Sequence, residues 1–356
     1  MNRPALNRSD QTNLALAIYH YAWKIPDKEY RKVRPFGTLP DMPATDLVVV
    51  DIAAWWVTAV FESEGFDRPV LFDGRARAPS GVFQLSGVYT AGTTALTAGL
   101  ANPESYRPDP MTLLRHGGPP AAVAAVLSHV AERTGRPAAL TVVTAQEWDR
   151  PARDRLESAA TIAGLPRPRI VSTAVAAAAP TGPGVVLVCV AGAAWPELTL
   201  VDGQRHLAAS AVRAPGAPAI DEALLRVAAA RGGAEADPDD WRLTREVERA
   251  RATLGVQQRA AMLLPEPHQA VVLTRDDLTA AKAVHLDRLP DTVKLLLADA
   301  GVDRVTAVVQ VGEDAQVATA LSDAGLVPAI TVRDPHALLR GIARTQPPSR
   351  RLWWRR

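Results

Sequence analysis

The sequence predicts an α/β protein made of two similar lobes that face each other across a cleft. Runs of strand length, rich in Val, Leu and Ile, alternate with longer stretches of helical periodicity. Three neighbouring strand-like runs followed by helix-to-strand crossovers occur first in one half of the chain and then again in the other. Because each such round forms one sheet covered by helices, the repeated order favours two lobes with a ligand cleft between their strand ends.

The first round begins near residue 46. Its meander is predicted from three runs that are close in sequence, DLVVVDIAAW, WVTAVFES and RPVLFDG. A helix is then expected over residues 119–134. It is followed in order by the strand AALTVVTA, the helix RPARDRLESAATIAGL and the strand RIVST.

The second round repeats this order from residue 185. Its strands are predicted at GVVLVCVAG, WPELTLVDG and RHLAASAVR, and they lead into helices over 220–231 and 239–255. A β segment follows around AAMLLPE. The chain continues with LDRLPDTVKLLLADAG, the strand RVTAVVQVG, the stretch EDAQVATALSDAG and a last helix over 335–344.

The composition argues against several classes of protein. A chain of 356 residues is long enough for two hydrophobic cores, and a formal charge of +2 without a basic stripe argues against nucleic-acid binding. The one cysteine, Cys189, lies in an apolar run and is expected to be a buried, inert thiol. The histidines are scattered, so no metal site is expected. With no apolar run of about 18 residues and no signal-peptide pattern, we expect a cytoplasmic protein.

The two ends of the chain are not part of either predicted lobe. Residues 1–45 combine a short predicted helix with a Pro-rich connector, and this helix is expected to dock on the first lobe or on a partner. The tail, 345–356, carries four arginines around Leu352, Trp353 and Trp354. That composition suits a membrane interface or a partner groove, and a disordered tail is the alternative.

Several stretches resemble the nucleotide-binding domain of the DnaK-type heat-shock chaperones, which belong to the actin-like ATPase superfamily. RDRLESAATIAGLPRPRIVSTAVAAAA is similar to the helix and strand that precede and include the family's Glu-Pro-Thr-Ala-Ala-Ala run. EVERARATLGVQQRAAMLLPE resembles its adenosine-side helix, and DPHALLRGIAR its closing helix. The resemblance implies the actin-like ATPase fold, with a mixed five-stranded sheet flanked by helices in each lobe. It places the first lobe at 46–184, completed by the closing helix 335–344, and the second lobe at 185–334.

The phosphate-binding hairpins depart from the family pattern. Where the first hairpin of the family reads Asp-Leu-Gly-Thr-Thr-Asn-Ser, residues 51–57 read DIAAWWV, so only Asp51 is retained. Where the second reads Asp-Leu-Gly-Gly-Gly-Thr-Phe-Asp, residues 189–196 read CVAGAAWP, which retains Gly192. Glycine N–H groups and threonine hydroxyls hold the phosphates in such hairpins, so their loss predicts that ATP is not hydrolysed.

The adenosine side keeps more of the family pattern. Glu248 and Arg251 match the Glu and Lys of the adenosine helix, and Gly312 keeps part of a Val-Gly-Gly turn. An ordinary solvated helix pair is the alternative for Glu248 and Arg251. The residual cofactor-binding candidates are therefore Asp51, Gly192, Glu248, Arg251 and Gly312.

Three tryptophans occupy the two hairpins. Trp55 and Trp56 stand near the place where the β- and γ-phosphates would lie, and Trp195 stands in the second hairpin. An indole offers one N–H donor where a phosphate needs several. We expect Trp55, Trp56 and Trp195 to fill the cleft, and the alternative is that they turn outward to meet a partner.

These features predict a DnaK-like pseudo-ATPase that serves as a protein-interaction or scaffold module in a larger complex, with a protein partner and no cofactor. One alternative is a residual ATP-binding ATPase or nucleotide sensor that binds ATP or ADP with Mg weakly. Another resembles the actin-like FtsA and PilM proteins and is a cytoplasmic component of a membrane-associated secretion or division machine. In that case Trp353 and Trp354 would supply a peripheral membrane contact.

Overall fold

The computed structural model describes residues 45–345, apart from 64, 65, 146, 147, 193, 234, 236, 238, 265–268, 313, 329 and 333. The expectations for the N-terminal helix and for Trp353 and Trp354 therefore lie outside the described residues. The described chain is a mixed α/β fold with two large mixed sheets and two small antiparallel ones. Within it, no helix is both long enough and apolar enough to cross a bilayer.

The strands follow one another as β1 (Thr45–Ile52), β2 (Trp56–Ser63), β3 (Phe66–Pro69), β4 (Ala78–Pro79), β5 (Val82–Leu85), β6 (Val88–Ala91), β7 (Tyr106–Arg107), β8 (Pro137–Thr144), β9 (Pro168–Ser172), β10 (Val185–Val190), β11 (Glu197–Asp202), β12 (Arg205–Ala211), β13 (Arg259–Leu263), β14 (Ala270–Thr274), β15 (Ala307–Val311) and β16 (Ile330–Val332). The α-helices are α1 (Gly92–Ala101), α2 (Pro110–Arg115), α3 (Pro120–Thr134), α4 (Arg150–Ile162), α5 (Thr173–Ala178), α6 (Ile220–Gly232), α7 (Trp241–Val256), α8 (Arg275–Leu286), α9 (Leu289–Ala300), α10 (Ala315–Asp323) and α11 (Pro335–Thr345). Short 3-10 turns occupy Pro103–Ser105 and Ala179–Thr181.

The first large sheet has the order β3-β2-β1-β8-β9, and the short β4 pairs with β2 beside this path. Strands β1, β2 and β3 are antiparallel neighbours, whereas β8 and β9 continue the sheet in parallel. Its central strand β1 is covered on both faces, because Val48 and Val50 enter one core cluster and Leu47 and Val49 enter another. That double burial explains the unbroken apolar run in the sequence.

The second large sheet repeats this arrangement with the order β12-β11-β10-β15-β16. Here too the first three strands are antiparallel neighbours and the last two are added in parallel. The inserted strands β4–β7 and β13–β14 can be left out, and the remaining five strands of each half numbered in chain order. Both sheets then have the strand order third, second, first, fourth, fifth. The two halves of the chain therefore share one strand order.

A single apolar cluster joins the two large sheets. Val49 of β1, Val188 of β10, Ala177 of α5 and Leu339 of α11 all belong to it, and each is almost completely buried. The outer faces of the sheets are covered separately, the first by α3 and α4 and the second by α9 and α10. Burial of these apolar side chains is the main stabilising contribution to the arrangement.

The chain divides into two compact units by its internal contacts. Within the described residues the smaller unit is 218–283 and the larger unit holds the rest, including both large sheets. The smaller unit has a core of its own, formed by α6, α7, α8 and the β13–β14 sheet. Both open edges of that two-stranded sheet are covered by guanidinium groups, because Arg249 donates to the Ala261 carbonyl oxygen and Arg231 to that of Val272.

A small sheet with the order β6-β5-β7 packs against α1. The Tyr106 ring lies so close to two glycines that added side chains would collide with it. A Cβ on Gly81 would lie 2.1 Å from the Tyr106 Oη, and one on Gly99 would lie 2.5 Å from the ring. Glycine at these two positions therefore lets the strand and the helix close around the ring.

Most of the elements expected from the sequence are confirmed. The strand WVTAVFES is β2, the helix predicted over 119–134 is α3, and the helix predicted over 335–344 is α11. The stretch RPVLFDG was expected to be one strand, but β3 ends at Pro69. Beyond it the Val70 N–H still donates to the Ala59 carbonyl oxygen at 2.8 Å, and Phe72 forms an isolated bridge with Arg75. Asp73 and Gly74 between them have positive φ and reverse the chain, so the run closes in a tight turn instead of continuing as a strand.

Candidate functional site

The first hairpin closes tightly at the end of β1. Asp51 pairs in register with Thr58, Ile52 pairs with Val57, and the Ala53 N–H donates to the Trp56 carbonyl oxygen at 2.9 Å. The N–H of Ala53 is thus used inside the turn. The hairpin presents the exposed methyl side chains of an Ala-Ala pair at its tip, which supply neither a hydroxyl nor the backbone freedom of glycine.

Asp51 is the second-last residue of β1. It lies on the face of the first sheet that packs against the second large sheet. It is opposite Val143 in β8 and on the same side as Val49, and both valines belong to the cluster that joins the two sheets. Burial raises the pKa of the Asp51 carboxyl from 3.8 to about 6. No cation or hydrogen-bond donor of the described residues contacts its side chain.

An arginine is stacked on the hairpin tryptophan. The Arg77 guanidinium lies 4.8 Å from the centroid of the half-buried Trp56 ring. The Trp56 Nε1 and the Ser80 Oγ are both buried and find no partner within the described part of the chain. The Ser80 N–H donates to the Trp55 carbonyl oxygen at 3.2 Å, which ties β4 to the hairpin.

The second hairpin, after β10, carries the same kind of pair. The exposed Arg213 has its guanidinium 5.7 Å from the centroid of the half-buried Trp195 ring. Pro196 is buried, and its carbonyl oxygen accepts from the Val212 N–H at 2.7 Å. Each hairpin thus places an indole under a guanidinium, a feature that sequence reasoning missed because the arginines lie outside the hairpins.

The two glycines retained in the family pattern have local reasons to be glycine. A Cβ on Gly192 would lie 2.5 Å from the Trp195 carbonyl oxygen. Gly312 has φ +95°, a left-handed conformation that favours glycine. The structure brings the two together at one end of the second sheet, since the Ala191 N–H donates to the Val311 carbonyl oxygen at 3.2 Å. The turn geometry by itself therefore accounts for both residues.

Cys189 sits beneath this hairpin and is completely buried. Burial, reinforced by the negative charge of Asp314, raises the pKa of the Cys189 thiol to about 12. The expectation that Cys189 is buried is confirmed.

Of the predicted adenosine-side residues, Glu248 and Arg251 lie in the smaller unit, on α7. Arg251 is held by an acid that sequence reasoning missed, because its Nε lies 2.7 Å from the Oδ1 of Asp221 in the first turn of α6. The two atoms are not aligned as a hydrogen bond, so the contact is an ion pair. Burial raises the pKa of Asp221 to about 6, the nearby Glu248 adds to the increase, and Arg251 opposes it. The alternative given for Glu248 and Arg251 was a pair within one helix, whereas Arg251 forms its ion pair with an acid of another helix.

A cavity of about 320 Å³ lies in the larger unit, lined by β9, α5, the β11–β12 turn and α11. Arg169, Val186, Gln204 and Ile342 are among its lining residues, and none of the predicted site residues borders it. Nearby, Ser172 and the His206 Nε2 form a hydrogen bond of 2.6 Å between β9 and β12. No signal in the sequence pointed to this cavity.

The predicted site residues are distributed over both units. Asp51, Gly192 and Gly312 are in the larger unit, and Glu248 and Arg251 are in the smaller one. No group of three or more His, Cys, Asp or Glu side chains that could hold a metal ion occurs among residues 45–345 as described. The chain matches no model of a known protein family, and no curated protein is similar to it in sequence.

Proposed function

We propose that this protein is a catalytically inactive, DnaK-like member of the actin-like fold that acts as a protein-interaction or scaffold module. The proposed fold is supported by the shared strand order of the two large sheets, each with three antiparallel strands followed by two parallel ones. It is also supported by the cluster that joins the sheets through α5 and α11. A duplicated sheet of this kind is what the resemblance to the actin-like ATPases implies.

The observation that carries the proposed inactivity is the Arg-on-Trp pair at each hairpin. Phosphoryl transfer depends on donors and cations that are fixed around the phosphates, and losing several of them together removes most of the rate enhancement. Here Ala54 and Ala194 stand at threonine positions of the family hairpins, and Trp55 stands at another. The Arg77 and Arg213 guanidinium groups lie 4.8 and 5.7 Å from the centroids of the Trp56 and Trp195 rings. The residues at these hairpins do not fit a Mg–triphosphate group.

Asp51 is the one residue of the first family hairpin that this chain retains. Its side chain is half-buried, and no charge of the described residues perturbs its pKa, so it stands without the other groups of a phosphate site. That the three tryptophans fill a cleft between lobes remains part of the proposal.

Two measurements on the full chain test this function. In a steady-state assay with Mg-ATP we expect no hydrolysis above background, and turnover that disappears in Asp51→Ala would contradict the proposal. In a calorimetric titration we expect a dissociation constant for Mg-ATP well above about 1 μM, which corresponds to about −8 kcal/mol. Binding tighter than this would favour the residual nucleotide sensor instead.

The membrane-machine alternative is favoured by one sequence feature, the tail with Trp353 and Trp354 among four arginines. Cations near an anionic bilayer contribute about 1 kcal/mol each, and tryptophan prefers the interface. Salt-sensitive binding to anionic vesicles that vanishes in Trp353→Ala/Trp354→Ala would support it. Equal recovery of the wild type and this double variant in the vesicle fraction would exclude the tail as an anchor.

A further inference from the structure

One segment of the larger unit carries no charge at all. Residues 78–103 contain no Asp, Glu, Lys, Arg or His, although 22% of the whole chain is charged. This segment, here called the neutral finger, comprises β4, β5, β6 and α1. Surface segments of a soluble fold normally include charged side chains, so an uncharged stretch of this length marks an unusual surface.

The tip of the neutral finger presents apolar side chains to solvent. Leu85 is 65% exposed and Val88 is 50% exposed. They are directly opposite each other in the β5–β6 ladder and close a two-residue turn, so their side chains lie on the same face. Leu100, near the end of α1, is a third exposed apolar residue of the finger.

The tip is held in one conformation by its turn and its base. Ser86 and Gly87 both have positive φ, which is the pattern of the tight hairpin turn that matches the twist of two antiparallel strands. At the base, Gly81 and Gly99 close on the Tyr106 ring. Leu85 and Val88 therefore stay exposed without being able to fold back onto the core.

We propose that the tip of the neutral finger inserts Leu85 and Val88 into the interfacial region of a phospholipid bilayer. Entry into a less polar medium is favourable for these side chains, and no ionised group of the finger has to lose its hydration. Two or three side chains are far too small for a stable protein interface, which buries about 800 Å² on each partner. The same number is enough for shallow insertion when a second contact contributes.

The sequence supplies such a second contact. The arginines and tryptophans of residues 350–356 have the composition of a segment that binds an anionic lipid surface. Two weak contacts on one chain give much tighter binding than either alone when both can engage the same surface. The inference concerns Leu85 and Val88 at the tip of the finger, whereas only its base at β4 and Ser80 contacts the first hairpin, and it does not depend on the proposed function.

Vesicle flotation with the full-length protein is the first test. Vesicles of phosphatidylcholine alone and of phosphatidylcholine with phosphatidylglycerol serve as the probes. We expect Leu85→Glu/Val88→Glu to lower the partition coefficient by at least about tenfold. The matched control is Val256→Glu/Leu295→Glu. It adds the same charge at two similarly exposed apolar residues outside the finger, and we expect it to bind the vesicles as the wild type does. Equal flotation of the tip variant and the control would overturn the proposal, as would a wild type that floats with neither vesicle.

A site-specific probe separates the finger from the tail. Because Cys189 is completely buried and its thiol has a pKa of about 12, a cysteine introduced by Leu85→Cys is the one that a thiol-reactive fluorophore reaches. With vesicles, we expect a blue-shifted emission that spin-labelled lipid quenches, and no response from the same probe at Leu295→Cys. If the protein floats while the probe at position 85 stays aqueous, the tail alone binds and the proposal is wrong. If the probe responds to unlabelled protein without lipid, the tip binds a second copy, which also overturns it.

Discussion

Asp51 is a carboxyl that the fold partly buries, and no charge of the described residues compensates for its loss of hydration. Its pKa is raised from 3.8 to about 6, so between these values the folded protein binds more protons than the unfolded chain. The free energy of unfolding therefore falls as the pH rises from about 4 to 6, and the loss remains at higher pH. A shift of about two pKa units corresponds to about 3 kcal/mol, which is an upper value because the residue keeps some exposure to solvent.

We expect Asp51→Asn to be more stable than the wild type at pH 8 by up to about 3 kcal/mol, and equally stable at pH 4, because the amide cannot ionise. Urea denaturation at the two pH values measures this difference. Asp303→Asn is the control, since it makes the same chemical exchange at an exposed position. A stabilisation that is the same at both pH values would show that the charge of Asp51 is not its cause.

At the scale of single elements, two helical glycines should respond in opposite ways to the same substitution. Gly99→Ala in α1 would place a Cβ 2.5 Å from the Tyr106 ring, and overpacking of this kind costs about 1–3 kcal/mol. Gly255→Ala in α7 meets nothing within 4 Å and should gain up to about 1 kcal/mol of helix propensity. Thermal unfolding of the two variants measures both effects. A Gly99→Ala protein as stable as the wild type would mean that the ring moves aside freely.

The elements also show where sequence reasoning succeeds. Long runs with one clear period were predicted well, as the match of WVTAVFES to β2 and of 119–134 to α3 shows. The β5–β6 hairpin and α1 were not predicted. VFQL and VYTA flank a Ser-Gly pair, a hairpin signal that sequence reasoning missed, whereas the small residues and threonines of α1 give no clear helix period. They form because Tyr106 provides a surface against which Gly81 and Gly99 can pack, and such a contact is not visible in the local sequence.

The site was predictable only in part for a related reason. The sequence identified both hairpins and their tryptophans, since a departure from a family motif is a local feature. The arginines that stack on them come from positions 77 and 213, and the acid that engages Arg251 comes from position 221. These partners are distant in sequence, and only the fold places them beside the residues that they contact.

At the scale of the whole molecule, the separate core of residues 218–283 predicts that local opening is confined to one unit. Leu224→Ala removes a fully buried side chain from this core and should cost about 2–5 kcal/mol. Hydrogen exchange should accelerate within 218–283 and remain unchanged in β10. Leu187→Ala, in the core beneath the second large sheet, should give the reverse pattern. Faster exchange throughout the chain in both variants would indicate that the protein opens as one cooperative unit.

The guanidinium groups that cover both edges of the β13–β14 sheet have a consequence for the behaviour of the protein at high concentration. A two-stranded sheet exposes unpaired carbonyl groups along each side, and such rows template strand addition by other chains. With Arg249 and Arg231 bound to outward carbonyls, an incoming strand would have to displace a charged donor before its own backbone could pair. These two guanidinium groups thereby oppose strand addition to this sheet, in the way that flanking charges act as gatekeepers against aggregation.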